Sequence, residues 1–128
     1  MSNATTRLLV AEDDLEIAAL LRATLEGAGY NITLVHDGEA ALASAVEDKP
    51  DAIILDVMLP QMNGWEVCKS LRARGDFGDV GILMLTAIGP NLNEMTAPLY
   101  GADDHLDKPF SIDELLQRVE KLVQRNAD

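Results

Sequence analysis

The chain has a single cysteine, Cys68, so no internal disulfide can staple it. It has no long apolar span and no leader in which basic residues precede an apolar stretch. Neither membrane insertion nor secretion is therefore supported, and the cytoplasm is the expected location. Positive charge is also scarce. Ten Lys and Arg face 22 Asp and Glu, giving a formal charge of −12. Such a surface repels a phosphate backbone, and direct nucleic-acid binding is not expected. Missing too are the Gly-x-x-x-x-Gly-Lys-Ser/Thr phosphate loop, a strand-linked Gly-x-Gly-x-x-Gly turn and a Gly-x-Ser-x-Gly elbow, which removes nucleotide enzymes and serine hydrolases from consideration.

What is present is the balance of a soluble globular protein: 48% hydrophobic and 25% charged residues over 128 positions, enough for one domain and too few for two. Residues 1–6 carry no pattern and are read as a disordered tail or cloning remnant. Residues 7–125 form the domain, and 126–128 are a tail.

Short apolar runs alternate with stretches of helical period five times, the pattern of a parallel sheet wrapped by helices. The runs are Leu8 to Ala11, Ile32 to Val35, Ala52 to Leu55, Gly81 to Leu85 and a brief one at His105 to Leu106. The first, third and fourth are apolar throughout, as for strands covered on both faces, while Asn31 to His36 mixes in polar residues and suits an edge. Ala18, Leu21, Leu25 and Ala28 recur at helical steps, as do Leu115, Val119 and Leu122. Gly29 ends the first helix, Asp37 and Asn63 start the second and third, and Ser111 to Glu114 fits a capping box for the last.

In a doubly wound sheet the strands end at one edge, where ligands bind. The first strand is followed by Glu12-Asp13-Asp14, the third by Asp56, the fourth by Thr86 and the fifth by Lys108-Pro109, so right-handed crossovers gather acids, a hydroxyl and an ammonium. Three close carboxylates repel by roughly 4 kcal/mol per pair at about 4 Å, and a cation must relieve this. Few hard oxygen ligands favour magnesium over calcium. Cys68, His36 and His105 have no zinc-ligand spacing. A carboxylate can attack phosphorus when a metal and a fixed cation neutralise the transferring group. On this reading Asp56 attacks, Asp14 holds the metal, Lys108 holds phosphoryl oxygens and Thr86 donates to the product.

At these residues the chain resembles the receiver domains of two-component response regulators, of chemotaxis-regulator type. The resemblance rests on the Asp-Asp pair, Ile54-Leu55-Asp56-Val57-Met58-Leu59-Pro60 with Asn63-Gly64-Trp65-Glu66, Thr86-Ala87, and Gly101-Ala102-Asp103-Asp104 leading to Lys108-Pro109-Phe110. It implies a flavodoxin-like five-stranded sheet of order 2-1-3-4-5 with five helices. It also implies a phosphorelay signalling domain, catalysing only its own phosphorylation and dephosphorylation, that accepts a phosphoryl group from a sensor histidine kinase or histidine phosphotransfer protein. By position, Asp56 is the acceptor, and Asp14, Asp56 and the Met58 carbonyl are magnesium ligands. Asp13 acts through water, Lys108 binds phosphate, Lys108-Pro109 is cis, and Thr86 and position 105 form the switch that signals to an output domain or homodimer.

Two departures stand out. The switch position, usually aromatic, is His105, a candidate for pH sensitivity. Ile88 and Met58 occupy positions that orient water in other members, so slow self-hydrolysis is expected. The segment Gly89 to Gly101 contains Pro90 and Pro98, which restricts a regular fourth helix to about Asn91 to Ala97. A haloacid-dehalogenase-like phosphatase is the enzymatic rival, but Asp56 is followed by Val57-Met58 and lacks that family's Asp-x-Asp. A bare binding module is the other rival, and it would have lost an acid, the acceptor or the lysine. Cys68 reads as a small core residue, and Arg118, Lys121 and Arg125 as a solvated basic face.

Overall fold

The computed structural model describes residues 6–86 and 101–127. In chain order the elements are β1 (Arg7–Ala11), α1 (Leu15–Gly27), β2 (Asn31–Val35), α2 (Gly38–Glu47), β3 (Ala52–Asp56), α3 (Gly64–Ala73), β4 (Gly81–Thr86), β5 (Asp104–Asp107) and α4 (Ile112–Ala127). The five strands are parallel in the order β2-β1-β3-β4-β5, the expected doubly wound sheet with β2 at one edge. Four helices rather than five lie among the described residues. The expected short helix from Asn91 to Ala97, and Ile88 with it, falls on residues 87–100, outside the described ones.

Side chains alternate across the sheet with period two, and each face has its own core. On one face Leu9, Ile53, Leu55, Ile82 and Met84 pack with Ala41 and Ala45 of α2 and Val67, Cys68 and Leu71 of α3. On the other, Leu8, Val10, Ile54, Leu83 and Leu85 meet Leu21 and Leu25 of α1 and Leu115, Val119 and Leu122 of α4. β3 and β4 are buried at every residue, which explains their continuous apolar sequences. Burial pushes the Cys68 thiol up to about 11, as suits a core residue and not a reactive one.

The helix starts follow the capping residues. Asp37 accepts from Ala40 N at 2.7 Å. Asn63 and Glu66 form a reciprocal capping box, and Ser111 Oγ accepts from Glu114 N at 3.0 Å. Gly29 follows α1 at φ 100°, a conformation that only glycine adopts without cost.

Two arginines act at long range. Arg118 is not part of a merely solvated face, because its Nη1 donates to Asp104 Oδ1 at 2.7 Å and to the His105 carbonyl at 3.0 Å. Arg72, in the last turn of α3, donates to the carbonyls of Gly101 (2.8 Å), Val80 (2.8 Å) and Phe77. It also donates to Asp103 Oδ2 at 2.8 Å, an oxygen that accepts from Ile82 N as well. This clamp joins the α3–β4 turn to the approach to β5. Arg72→Met keeps the apolar stem but removes one donor from each of three carbonyls and from a carboxylate, and should cost about 2–4 kcal/mol in urea denaturation. A loss too small to resolve would show that the clamp contributes nothing net.

Candidate functional site

Parallel register decides which residues meet at the carboxyl edge. Ala11 pairs with Leu55, so the next residues along the two chains, Glu12 and Asp56, stand side by side. Asp56 itself pairs with Leu85, which puts Thr86 one step beyond it, and Thr86 pairs with Asp107, immediately before Lys108. The sequence distances are long, but each residue reaches this edge simply by ending its strand. Lys108-Pro109 is cis, as the resemblance implied.

Carboxylate oxygens of Glu12, Asp13 and Asp56 lie within 4.8 Å of one another. Glu12 and Asp56 are 0% and 3% exposed, whereas Asp13 faces solvent and marks the open side. Lys108 Nζ stands 2.8 Å from Glu12 Oε1 and 3.2 Å from Asp56 Oδ2. The remaining oxygens are also held: Glu12 Oε2 accepts from Asp14 N at 3.1 Å, and Asp56 Oδ1 from Met58 N at 3.2 Å. Thr86 is fully buried, and its carbonyl accepts from Lys108 N at 2.7 Å. The Met58 side chain is 66% exposed.

Asp14, expected as a metal ligand, is placed differently. Its Oδ1 accepts from Glu16 N at 3.0 Å and Ile17 N at 3.1 Å, the work of the N-cap of α1, and it is not one of the three gathered acids. Glu12, not Asp14, is the third acid of the gathered group. The missed signal was positional: the last apolar residue of β1 is Ala11, so the first acid after it, and not the third, stands beside Asp56. Asp13 belongs to the trio directly. His105 lies in β5 opposite Met84, partly buried, and His36 Nδ1 lies 3.0 Å from the Glu12 carbonyl.

When all three acids are ionised, one lysine leaves two negative charges uncompensated, and the donors are oxygen only. That set fits a hard divalent cation such as magnesium. Burial raises the Glu12 carboxyl from 4.5 to about 7; the Lys108 hydrogen bond opposes this and the neighbouring Asp56 adds to it. Lys108 loses to desolvation but gains more from Glu12 and Asp56, so its ammonium is held above the usual lysine value.

Two pH effects follow. A raised folded value means that protonated Glu12 stabilises the metal-free domain at low pH, a contribution lost as pH rises through about 7. Cation binding needs the ionised form, so magnesium affinity should fall roughly tenfold per unit below about pH 6.5 and level off in weak base. Titrations followed by Trp65 fluorescence check this. A pH-independent affinity would show that Glu12 does not gate the cation.

Residues 8–120 match the family model for the response regulator receiver domain. The response regulator MprA of Mycobacterium tuberculosis is 46% identical over 122 residues, which cover 94% of this chain and 52% of that protein. The chain thus spans about half the length of the curated relatives it matches. Among solved structures, the receiver domain of a Francisella response regulator superposes with a TM-score of 0.87 at 35% identity, covering 94% of this chain and 98% of the other. The receiver domain of a Pseudomonas aeruginosa sensor histidine kinase, solved with a magnesium ion coordinated in its active-site cleft, gives 0.85 at 31% identity over 93% of this chain and 98% of that one. Fold, strand-end chemistry and family match agree: this chain belongs to the response regulator receiver domains of two-component signalling.

Proposed function

We propose that Asp56 accepts a phosphoryl group from a phosphohistidine on a sensor histidine kinase or phosphotransfer protein. An Asp56 carboxylate oxygen forms the bond to phosphorus while the phosphorus–nitrogen bond of the donor breaks, and the imidazole leaves with the electron pair. The observation that carries the reading is the setting of Asp56: a carboxylate 3% exposed, with the Lys108 ammonium at 3.2 Å and two further acids at hand.

Glu12, Asp13, Asp56 and the Met58 carbonyl are the groups that would hold magnesium, which when bound neutralises charge on the transferring group. Lys108 holds a phosphoryl oxygen, and the Thr86 hydroxyl donates to the product and reports its arrival toward β5, with His105 as the neighbouring switch residue. The exposed Met58 thioether cannot align water on the phosphoryl group, so self-dephosphorylation is slow. With a formal charge of −12, this chain does not contact nucleic acid itself. Its signal passes in the cytoplasm to an output domain or a second receiver. Among the described residues no helix is long and apolar enough to cross a membrane.

Incubation with acetyl phosphate and magnesium, followed by intact-mass measurement, tests the reading. One persistent phosphoryl adduct supports it. Continuous phosphate release with no adduct indicates a phosphatase, and an unchanged protein indicates a bare binding module.

A further inference from the structure

Between Asp56 and α3 the chain turns through residues 57–63, and this loop brings the Met58 backbone against the acceptor, with Met58 N donating to Asp56 Oδ1 at 3.2 Å. One flank of the loop is closed by Gly64. Its N donates to Val57 O at 2.9 Å, and an added Cβ would lie 2.4 Å from the Asp56 carbonyl oxygen. The other flank rests on the first residue of α2. Gly38 is buried, its N donates to Pro60 O at 3.1 Å, and a Cβ built there would lie 1.5 Å from Met62 O and 2.5 Å from Met62 C. Both atoms are backbone, so no change of rotamer relieves the overlap.

Either α2 or the loop must therefore retreat if position 38 carries a side chain. α2 is held by its Asp37 cap and by Ala41 and Ala45, both 0% exposed against the sheet. The loop is the softer partner: Met58, Pro60 and Gln61 are exposed, and Gln61 sits at φ 72°, a left-handed conformation that costs a non-glycine residue about 1 kcal/mol. The displacement would pass into the segment that carries the Met58 amide and carbonyl, and an error of about 1 Å there is enough to slow a positioned reaction by about a hundredfold.

We infer that Gly38 is a positioning residue for phosphoryl acceptance: its missing side chain lets residues 57–63 close onto α2 and so sets the Met58 backbone against Asp56. This rests on the assignment of Asp56 as acceptor. It extends that assignment to a residue outside the pocket, on a helix that carries none of the residues expected to touch the metal or the phosphoryl group.

The test compares wild type, Gly38→Ala and Gly27→Ala, the last a glycine with nothing within 4 Å of an added Cβ. Adduct formation with acetyl phosphate is followed by intact mass, magnesium affinity by Trp65 fluorescence, and the magnesium-induced rise in Tm by calorimetry. Gly38→Ala should form adduct at least about tenfold more slowly, bind magnesium several-fold more weakly and lose most of the magnesium-induced rise in Tm, while Gly27→Ala matches wild type. A purely structural role would lower Tm yet leave the magnesium-induced rise, and the rate well below Tm, unchanged. If Gly38→Ala does not fold, Asp37→Ala, which frays the first turn of α2, is compared with Asp37→Asn, which removes the same charge but keeps a cap. The alanine variant should be the slower by about threefold. Wild-type behaviour of Gly38→Ala, or equal rates in the Asp37 pair where Gly38→Ala cannot be measured, overturns the inference. Failure of the wild type to form any adduct overturns the acceptor assignment instead, and the inference with it.

Discussion

Asp56→Asn is expected to gain no phosphoryl group from acetyl phosphate and magnesium, while keeping the fold. A carboxamide has the size of the carboxylate but is a poor nucleophile, so the bond to phosphorus cannot form. Its loss does not leave Lys108 unpaired in the pocket, because Glu12 Oε1 remains 2.8 Å from Nζ. Removal of one of three crowded acids also relieves repulsion of roughly 4 kcal/mol per pair at about 4 Å, so stability without magnesium should hold or rise. Magnesium affinity should drop, since one carboxylate ligand is gone. Intact mass and thermal melting measure all of this; an adduct that forms at the wild-type rate would move the acceptor to another residue.

Lys108→Ala should slow adduct formation by about 10²–10³-fold, the scale on which a single preorganised charge at developing negative charge acts. The ammonium is only 19% exposed and is the one cation in contact with Glu12 and Asp56 among the described residues. Its loss also leaves two buried carboxylates to repel each other, raising the Glu12 carboxyl further. The measurement therefore belongs in weak base, above the wild-type Glu12 value of about 7. There magnesium affinity should not fall, because a competing positive charge has been removed. A slow rate with intact magnesium binding places Lys108 on the transferring group; a slow rate explained by lost magnesium would make it a scaffold for the cation instead.

How far the sequence could be read depended on the range over which each residue acts. Ala52 to Leu55 and Gly81 to Leu85 are apolar at every position because helices cover both faces of the sheet, so strand and topology were both legible. Asp37, Asn63 and Ser111 act within one turn, and their caps appear where local chemistry requires them. Asp56 and Lys108 were legible as strand ends.

The expected and observed acid groups differ at Asp14, and the reason is register. Three consecutive acids follow β1, and nothing local says which of them faces the pocket. The pairing of Ala11 with Leu55 does, sending Glu12 inward and leaving Asp14 to cap α1. Arg72 and Arg118 look like surface charges because their partners lie 29 and 14 positions away, and only the folded chain supplies them. Gly38 had no signal at all. It follows Asp37 as an ordinary start of a helix, and its function depends on a loop 24 residues later arriving within contact distance.

The central claim is that a phosphoryl group becomes attached to Asp56 in a pocket completed by Glu12, Asp13 and Lys108. The most direct measurement is to map the adduct in the unmutated protein, by reducing the acyl phosphate with borohydride and sequencing the peptides by mass spectrometry. Conversion of Asp56 alone, dependent on magnesium, is the result expected. Label on Glu12, Asp13 or Asp14, or an adduct that forms equally well in the presence of a chelator, would contradict the account.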